Sequence, residues 1–196
     1  MAPALTLLAT DVLPGLLPCG PGGHAVVPRA VADAAGKAWI DGGTAELGAP
    51  RELGTADLPG GAVLFLAHDT GGRFAVDHEQ RHAWALGLAW LRLGLSEALR
   101  ETCVHYLRGR IVGTSVLLQQ QLVKGAIADA LAEQLEIRAV LMSGPDGGID
   151  RVQAQITRAD RGLVRLLGAS GYLTGSAGQV ADVSEVLAEA YLRPEE

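Results

Sequence analysis

The spacing of the apolar positions changes near residue 80. Upstream of it, short apolar runs alternate with turns that contain Gly and Pro. Downstream, apolar residues recur every three or four positions over long stretches. The first spacing is typical of strands and loops, and the second is typical of amphipathic helices. We therefore predict a reduced β-rich and loop segment over residues 1–79 and an α-helical bundle over residues 80–196.

The upstream segment contains four apolar runs that predict strands. They are separated by turn signals such as Pro59-Gly60-Gly61, since Gly and Pro interrupt regular structure. The last two runs flank a Gly-rich turn at residues 69–72 and predict a hairpin. The four predicted strands are Ala25–Val27, Ala38–Ile40, Ala62–His68 and Arg73–Val76.

The downstream segment predicts four helices with short connections. A capping residue at Thr114 or Ser115 predicts the start of the second helix, and the Gly-rich stretch after Met142 predicts its end. Short connections favour antiparallel neighbours, so we predict a mainly α fold with an antiparallel four-helix bundle. The predicted helices are Arg81–Leu107, 114–142, Ile149–Leu167 and Gln179–Leu192.

Apolar periodicity also predicts which face of the first two helices points inward. On the first helix the inward stripe comprises Trp84, Leu88, Leu91, Leu95, Ala98, Leu99 and Cys103. On the second helix the inward positions are Leu118, Leu122, Ile127, Leu131 and Leu135.

Composition narrows the function classes. Of the 196 residues, 48% are hydrophobic and only 4% are aromatic, which favours closely packed helices with small contact residues. The net charge is −6 and no basic stripe is present, so a nucleic-acid partner is not expected. No apolar run reaches the length of a membrane span. The first residues lack the cationic start of a secretory signal, so we expect a cytoplasmic protein.

Four groups of residues, taken in order, resemble a known family. Together they are similar to motifs of the acyl-CoA dehydrogenases, and the likeness extends from about Gly36 to the end of the chain, with gaps. The groups are Gly36–Ile40 (similar to a Lys-x-Trp-Ile element of the middle β-domain), Leu93–Gly113 with Tyr106 and Arg110, Gln121–Asp129, and Leu167–Tyr172 followed by Asp182.

The resemblance implies a fold and an activity. The bundle would correspond to the C-terminal helical domain of these flavoproteins, and the strands to a small remnant of their middle domain. The implied activity is the oxidation or remodelling of an acyl thioester or a biosynthetic intermediate, with FAD as the cofactor. The implied assembly is a homo-oligomer, or a complex with a fuller acyl-CoA dehydrogenase-like partner.

The resemblance also implies cofactor-binding residues. In the family FAD lies between subunits, so Arg110 and Gln121 would reach the adenine and pyrophosphate end of a flavin that a neighbour mainly holds. Gly168 and Gly171 would let the backbone approach the phosphates. From the residues alone an alternative stays open, in which Arg110 is a solvated cation at a helix end and the glycines form an ordinary helix C-cap.

Several positions depart from the family pattern. The Phe that precedes Gly is Val112, the turn Gln is Arg165, and a turn Gly is Ala169. The Thr or Ser near the flavin ring is Asp41, a carboxylate that would repel a reduced flavin. The family's catalytic Glu has no direct counterpart, although Glu189 lies one residue from one of its two positions.

The residues His78 to His82 match the H-E-x-x-H pattern of zinc proteases. A zinc protease also needs a third metal ligand, and none follows at a suitable position. The residues between the two histidines, Gln80 and Arg81, are polar, whereas zinc proteases usually have apolar residues there. We therefore predict no metal site. The histidines are instead candidates for acid–base chemistry. The candidate catalytic residues are Glu189, Asp41, His78 and His82.

Two other functions stay open at this stage. One is a non-redox biosynthetic enzyme, such as a cyclase, dehydratase or isomerase, on the same scaffold. The other is a non-catalytic partner subunit of a flavoprotein dehydrogenase. The sequence does not decide whether the chain is an enzyme.

Overall fold

A computed structural model of the chain describes residues 24–29, 51–58, 61–67, 78–144, 148–173 and 175–192. A sheet comes first, made of β1 (His24–Pro28), β2 (Arg51–Leu58) and β3 (Gly61–Ala67). The helical part comprises α1 (His78–Arg108), the hairpin β4 (Ile111–Val112) and β5 (Ser115–Val116), a 3-10 turn (Leu117–Gln119), α2 (Gln121–Met142), α3 (Ile149–Leu167), a 3-10 turn (Gly168–Tyr172) and α4 (Gln179–Leu192).

The helices form a four-helix bundle in which α1 packs against the other three. Glu97 and Arg138 form an ion pair between α1 and α2, and Cys103 reaches the Leu163 carbonyl on α3. Together with the Arg100–Gln134 and Arg92–Thr157 hydrogen bonds, these contacts show that α2 runs antiparallel to α1 and that α3 runs parallel to α1. The predicted mainly α fold with a small β-rich element in front of the bundle is confirmed.

The three-stranded sheet is antiparallel, with the order β1-β3-β2. Val26 of β1 and Val63 of β3 are buried in one apolar cluster with residues of α1 and α4. The sheet therefore covers one side of the bundle and shares a core with it. The division into two domains near residue 79 stays a prediction.

Two of the predicted strands are confirmed as β1 and β3. The predicted strands Ala38–Ile40 and Arg73–Val76 lie outside the described residues, as does part of the hairpin between residues 62 and 76. The central strand β3 pairs instead with β2, which the sequence did not predict. β2 carries a bulge between Glu52 and Gly54, and this irregularity weakens the alternation by which a strand is recognised.

The inward stripe predicted for α1 is largely confirmed. Leu88, Leu95, Leu99 and Cys103 are each 1% exposed or less. Burial raises the pKa of the Cys103 thiol to about 12, so this thiol stays protonated and serves packing. A second buried face on α1 contains Ala89 and Leu93 with the polar residues Arg92 and Ser96.

The inward face predicted for α2 is wrong at three of its five positions, whereas Leu118 and Ile127 pack against an apolar cluster as predicted. Leu122 is 89% exposed and Leu135 is 56% exposed, and Leu131 also faces solvent. The buried positions are Ala130, Gln134, Ile137 and Leu141. Compared with the predicted orientation, α2 is rotated about its own axis. The rotation places Gln134 inward, where it forms hydrogen bonds with Ser96 and Arg100 of α1.

The predicted start of the second helix is also wrong. Thr114 and Ser115 belong to the connection around the β4–β5 hairpin, and α2 begins only at Gln121. Gly113 adopts a φ of 63°, a left-handed conformation that suits a tight turn between two short strands. A polar residue that resembles an N-cap therefore lies in a turn.

Candidate functional site

One end of the bundle brings together several residues predicted to bind a cofactor. Arg110 follows α1 and its guanidinium lies 4.6 Å from the ring centre of Tyr106. The Tyr106 hydroxyl forms a 2.8 Å hydrogen bond with Ser170 in the 3-10 turn after α3. Tyr106 thus connects Arg110 with the turn that contains Gly168 and Gly171.

The turn at Gly168 exposes backbone at this end. Gly168 ends α3 with a φ of 58° and a ψ of −145°, a combination that only glycine adopts without strain. A Cβ atom at this position would meet no other atom within 4 Å. The glycine is therefore required by the backbone conformation, and the space next to it is open to a ligand.

Gly171 occupies a different environment. It is buried, and a Cβ atom there would lie 2.9 Å from the Val164 carbonyl oxygen. The carbonyl of Gly171 in turn contacts Gly178 so closely that no side chain fits at Gly178. This pair of glycines lets the turn pack against the connection that leads into α4.

Gln121 is the first residue of α2 and is exposed at the same end of the bundle. The connection before it is held together, since Leu117 N–H donates to the Arg110 carbonyl at 2.7 Å and Gln120 donates to Ser115 at 2.7 Å. Arg110 and Gln121 are thereby fixed on one ordered segment. Both side chains remain accessible.

Two of the four catalytic candidates, Glu189 and His82, lie elsewhere. Glu189 is exposed near the end of α4, and His82 is half-buried near the start of α1. By the rise of an α-helix, His82 lies roughly 40 Å along α1 from Arg108. The structure therefore does not bring these candidates to the Arg110 end. Asp41 lies outside the described residues, and the structure describes only the backbone of His78.

Among the described residues, no group of three or more His, Cys, Asp or Glu side chains is arranged to hold a metal ion. In the same part of the chain, no helix combines the length and apolar character that crossing a membrane requires.

A buried arginine, which the sequence analysis missed, connects three helices. Arg92 of α1 is fully buried and donates to Ser184 on α4 at 3.0 Å. It also donates to the side chain of Gln153 at 2.5 Å and to Thr157 at 2.7 Å, both on α3. Burial lowers its pKa to about 10, against the opposing effect of Asp160 and Glu185, so it is charged at pH 7.

Asp160 on α3 is the acidic residue next to this arginine. It is 2% exposed, and burial raises its pKa to about 6. Hydrogen bonding by Ser96 and Ser184 and the charge of Arg92 act in the opposite direction. Its Oδ1 atom has no hydrogen-bond partner among the described residues. A buried carboxylate oxygen without a donor is uncommon, and it costs free energy unless water or another donor completes it.

The polar network extends to α2 through Ser96. Gln134 donates to Ser96 at 2.9 Å, and its carbonyl oxygen accepts from Arg100 at 2.7 Å. Polar side chains from all four helices thus meet in the middle of the bundle. Such a network fixes the register of the helices, because each member has its partner in only one arrangement.

The positions of Arg92 and Asp160 in the sequence already indicate that both side chains are buried. Arg92 stands one turn after Leu88 and one turn before Ser96, within the apolar stripe of α1. Asp160 stands in the same way between Ile156 and Leu163 on α3. A charged residue at an inward position of an amphipathic helix indicates a buried polar network, and its partner has to be sought on other helices.

Comparison with solved structures identifies the fold. A variant of the Tcur3481-Tcur3483 steroid ACAD matches with a TM-score of 0.56 and 15% identity over 74% of this chain. The electron transferring flavoprotein of Acidaminococcus fermentans matches with a TM-score of 0.53 and 14% sequence identity over 73% of this chain. Butyryl-CoA dehydrogenase from Megasphaera elsdenii matches with a TM-score of 0.51 and 15% sequence identity over 74% of this chain. The chain has an acyl-CoA dehydrogenase-like fold.

The acyl-CoA dehydrogenase-like chain spans 45% of the length of each of these three structures. At 14–15% identity the likeness concerns the fold. No protein-family model and no curated protein matches the sequence. The resemblance inferred from the four residue groups is nevertheless confirmed at the level of the fold.

Proposed function

We propose that this chain is an acyl-CoA dehydrogenase-like subunit that contributes the Arg110 end of its bundle to an FAD site, which a second chain completes. The observation that carries the proposal is the joining of Arg110 and the Gly168 turn by Tyr106. A cation and an open backbone turn on one rigid support suit a pyrophosphate group.

The residues fit the outer part of such a site. Stacking on Tyr106 limits the motion of the Arg110 side chain, so little entropy is lost when the guanidinium binds an anion. The open space at Gly168 lets a phosphate approach the backbone. Gln121 offers an amide at the same end. Gly171 supports the site by packing and is buried within the chain.

When bound, FAD would supply a hydride acceptor for the oxidation of an acyl thioester. The chain's own contribution would be to bind and orient the adenine and pyrophosphate end. A base would still have to remove a proton from the substrate, and Glu189 and His82 lie far from Arg110 on this chain. We infer that the reacting groups meet at a junction with another chain.

The surface of α2 supports assembly with a second chain. Exposed apolar residues recur there at helical spacing, with Leu135 and Met142 at 56% and 75% exposure. The stripe comprises Gly125, Ala128, Leu131, Ala132, Leu135, Ala139 and Met142. A continuous apolar stripe of this kind is typical of a helix that packs against another chain. The partner would be a second copy or a fuller dehydrogenase-like chain.

A second candidate function is a non-catalytic partner subunit. The separation of Glu189 and His82 from the Arg110 end favours it, because neither of these two candidate bases, whose side chains lie in the described part of the chain, is beside the candidate cofactor residues. In that case Glu189→Gln and His82→Gln would leave the activity of the reconstituted assembly unchanged. A large loss of turnover in either variant would favour the catalytic version.

FAD binding can be tested on the purified chain. We expect the flavin fluorescence of added FAD to change saturably, and we expect Arg110→Ala to weaken binding about tenfold or more, as for a lost charge-assisted hydrogen bond. Arg108→Ala is the matched control, since Arg108 is also exposed at the end of α1. Equal affinities of the two variants would contradict the proposed role of Arg110.

Oligomeric state is measured on the same samples by light scattering. A chain that is monomeric at all concentrations and does not bind FAD would contradict the homo-oligomeric version. The version with a longer partner is then tested by mixing the chain with a full-length acyl-CoA dehydrogenase and measuring the mass of the mixture. An unchanged mass would contradict that version for the partner used.

A further inference from the structure

Large apolar side chains collect at the Arg110 end of the bundle. Among the described residues, ten large hydrophobic side chains are exposed, and five of them lie on or beside the two connections at this end. These five are Ile111, Val112, Leu122, Tyr172 and Leu173. Because half of the exposed apolar residues share one end, this end is a candidate contact surface.

The hairpin β4–β5 stands away from the bundle at this end. Successive side chains of a strand point to opposite faces, yet Ile111 is 73% exposed and its neighbour Val112 is 56% exposed. Both faces of this strand are therefore in solvent. The fold gains little from two large apolar residues in such a place, because neither is removed from water.

The same end lacks acidic residues. None of the 22 Asp and Glu residues of the chain falls within residues 102–128 or 161–181, which contain the two connections. Arg108, Arg110 and Lys124 are exposed there, and none of them forms an ion pair with another described residue. Arg165 contributes less, because Asp182 lines the same cleft. On a chain with a net charge of −6, this end is locally cationic.

Lys124 lies where the stability of α2 does not call for a cation. The first turn of a helix carries partial positive charge and is stabilised by acidic side chains, whereas α2 has no acidic residue in its first turn. Leu122, two residues earlier, is 89% exposed. The start of α2 therefore carries a cation and an apolar side chain that the helix itself does not need, which indicates a role in binding.

Two arguments favour a lipid surface over a protein as the occupant of this end. A second copy that docked with the same end would bring Arg108, Arg110 and Lys124 of both chains together, and like charges repel. Charged residues, and lysine in particular, are depleted at the core of protein interfaces, whereas the cations here alternate with apolar residues along the chain. An anionic bilayer accepts both kinds of side chain.

We propose that the Arg110 end docks on an anionic membrane surface, with Ile111, Val112 and Leu122 entering the interface and Arg108 and Lys124 contacting the headgroups. The net charge of the chain is −6, so the membrane repels the remaining surface and only this end faces it. This inference goes beyond the proposed function. Lipid and a second chain exclude each other at this end, so docking is measured on the chain alone without FAD, and its failure leaves the outcome of the FAD titration open.

Sedimentation with lipid vesicles tests the docking. We expect the chain to bind vesicles of phosphatidylcholine with about 30% phosphatidylserine at about 0.1 M salt, and to bind pure phosphatidylcholine vesicles at least about tenfold more weakly, because the cations then meet no anionic headgroups. Raising the salt to about 0.5 M should weaken the binding about tenfold by screening. Equal binding to both kinds of vesicle, or binding to neither, would show that the proposal is wrong.

An apolar variant tests whether the hairpin enters the bilayer. Ile111→Ser should weaken vesicle binding about tenfold or more, because a large apolar side chain no longer leaves water. Leu53→Ser is the matched control, since Leu53 is also exposed but belongs to the sheet, which packs near Leu88 and Leu95 of α1, roughly 20 Å or more before Arg108. Circular dichroism checks that both variants are folded. Equal losses in the two variants would contradict docking through the hairpin.

A charge variant tests the contact with the headgroups. Lys124→Gln should weaken vesicle binding about fivefold, as expected for one cation near an anionic surface. Arg151→Gln removes an exposed cation at the start of α3, at the opposite end of the bundle, and should leave binding unchanged. Equal losses in these two variants would overturn the proposal. So would a wild type that binds no vesicles and whose mass in light scattering falls in Ile111→Ser, because this end would then contact a second copy.

Discussion

Arg92 on α1 and Ser184 on α4 are joined by a 3.0 Å hydrogen bond in the buried centre of the bundle. The same guanidinium bonds to two side chains of α3. One side chain therefore connects three helices, and we expect its removal to destabilise the whole bundle.

Replacing Arg92 tests this role. We expect Arg92→Met to lower the free energy of unfolding by about 3–5 kcal/mol, because it leaves Asp160 and the acceptors on α3 and α4 without their buried partner. Urea unfolding followed by circular dichroism measures the change. Arg108→Met, an exposed change on the same helix, should stay within about 0.5 kcal/mol of the wild type. Similar small losses in both variants would show that the network contributes little stability.

The pKa of Asp160 predicts a pH dependence of stability. Because the pKa rises from an ordinary 3.8 to about 6 on folding, the folded state holds a proton that the unfolded state releases between these values. The contribution is therefore fully present below about pH 4 and is lost as the pH rises to about 6. The shift corresponds to about 3 kcal/mol as an upper bound.

The measurement compares urea unfolding of the wild type and Asp160→Asn at pH 4, 5, 6 and 7. We expect the wild type to lose stability relative to Asp160→Asn as the pH rises through this window. Asp150→Asn changes an exposed acid on the same helix and should follow the wild type. Parallel pH profiles for wild type and Asp160→Asn would mean that Asp160 titrates alike in both states.

Helical periodicity predicted the bundle well where one face of a helix is apolar. The bounds of α3 and α4 agree with the prediction, since Gly148 and Gly168 with their positive φ angles mark both ends of α3. The sheet was predicted less completely. β2 contains charged residues and a bulge, so its sequence lacks the alternation of a half-buried strand.

The inward face of α2 could be predicted only in part, because this helix has two apolar faces. Leu131 and Leu135 lie on the outer one, and Ile137 and Leu141 on the inner one. The decisive residue is Gln134, whose amide is satisfied by α1 only after the helices pack. Arg110 and Gly168 stay predictions that rest on the family likeness, whereas the Asp160 network could not be predicted because it depends on contacts between distant residues.

The contact between Gly178 and Gly171 gives a third prediction. A methyl group at Gly178 would collide with the Gly171 carbonyl, so Gly178→Ala should lower the free energy of unfolding by about 1–3 kcal/mol. Gly162→Ala is the matched control, because Gly162 is exposed on α3 with open space around it. It should stabilise the protein by about 0.5–1 kcal/mol through helix propensity. The idea fails if both variants shift stability in the same direction by similar amounts.

The exposed stripe on α2 gives a fourth prediction, which concerns assembly. Leu135 is 56% exposed, so the folded chain itself tolerates a charge there, whereas an apolar interface does not. We expect Leu135→Glu to lower the mass measured by light scattering to that of a single chain at micromolar concentrations, with an unchanged helical circular dichroism signal. Ala154→Glu adds the same charge to an exposed position of α3 and should leave the assembly intact. An oligomer that survives Leu135→Glu must associate through another surface, and the α2 stripe then has no part in bringing a second chain to the Arg110 end.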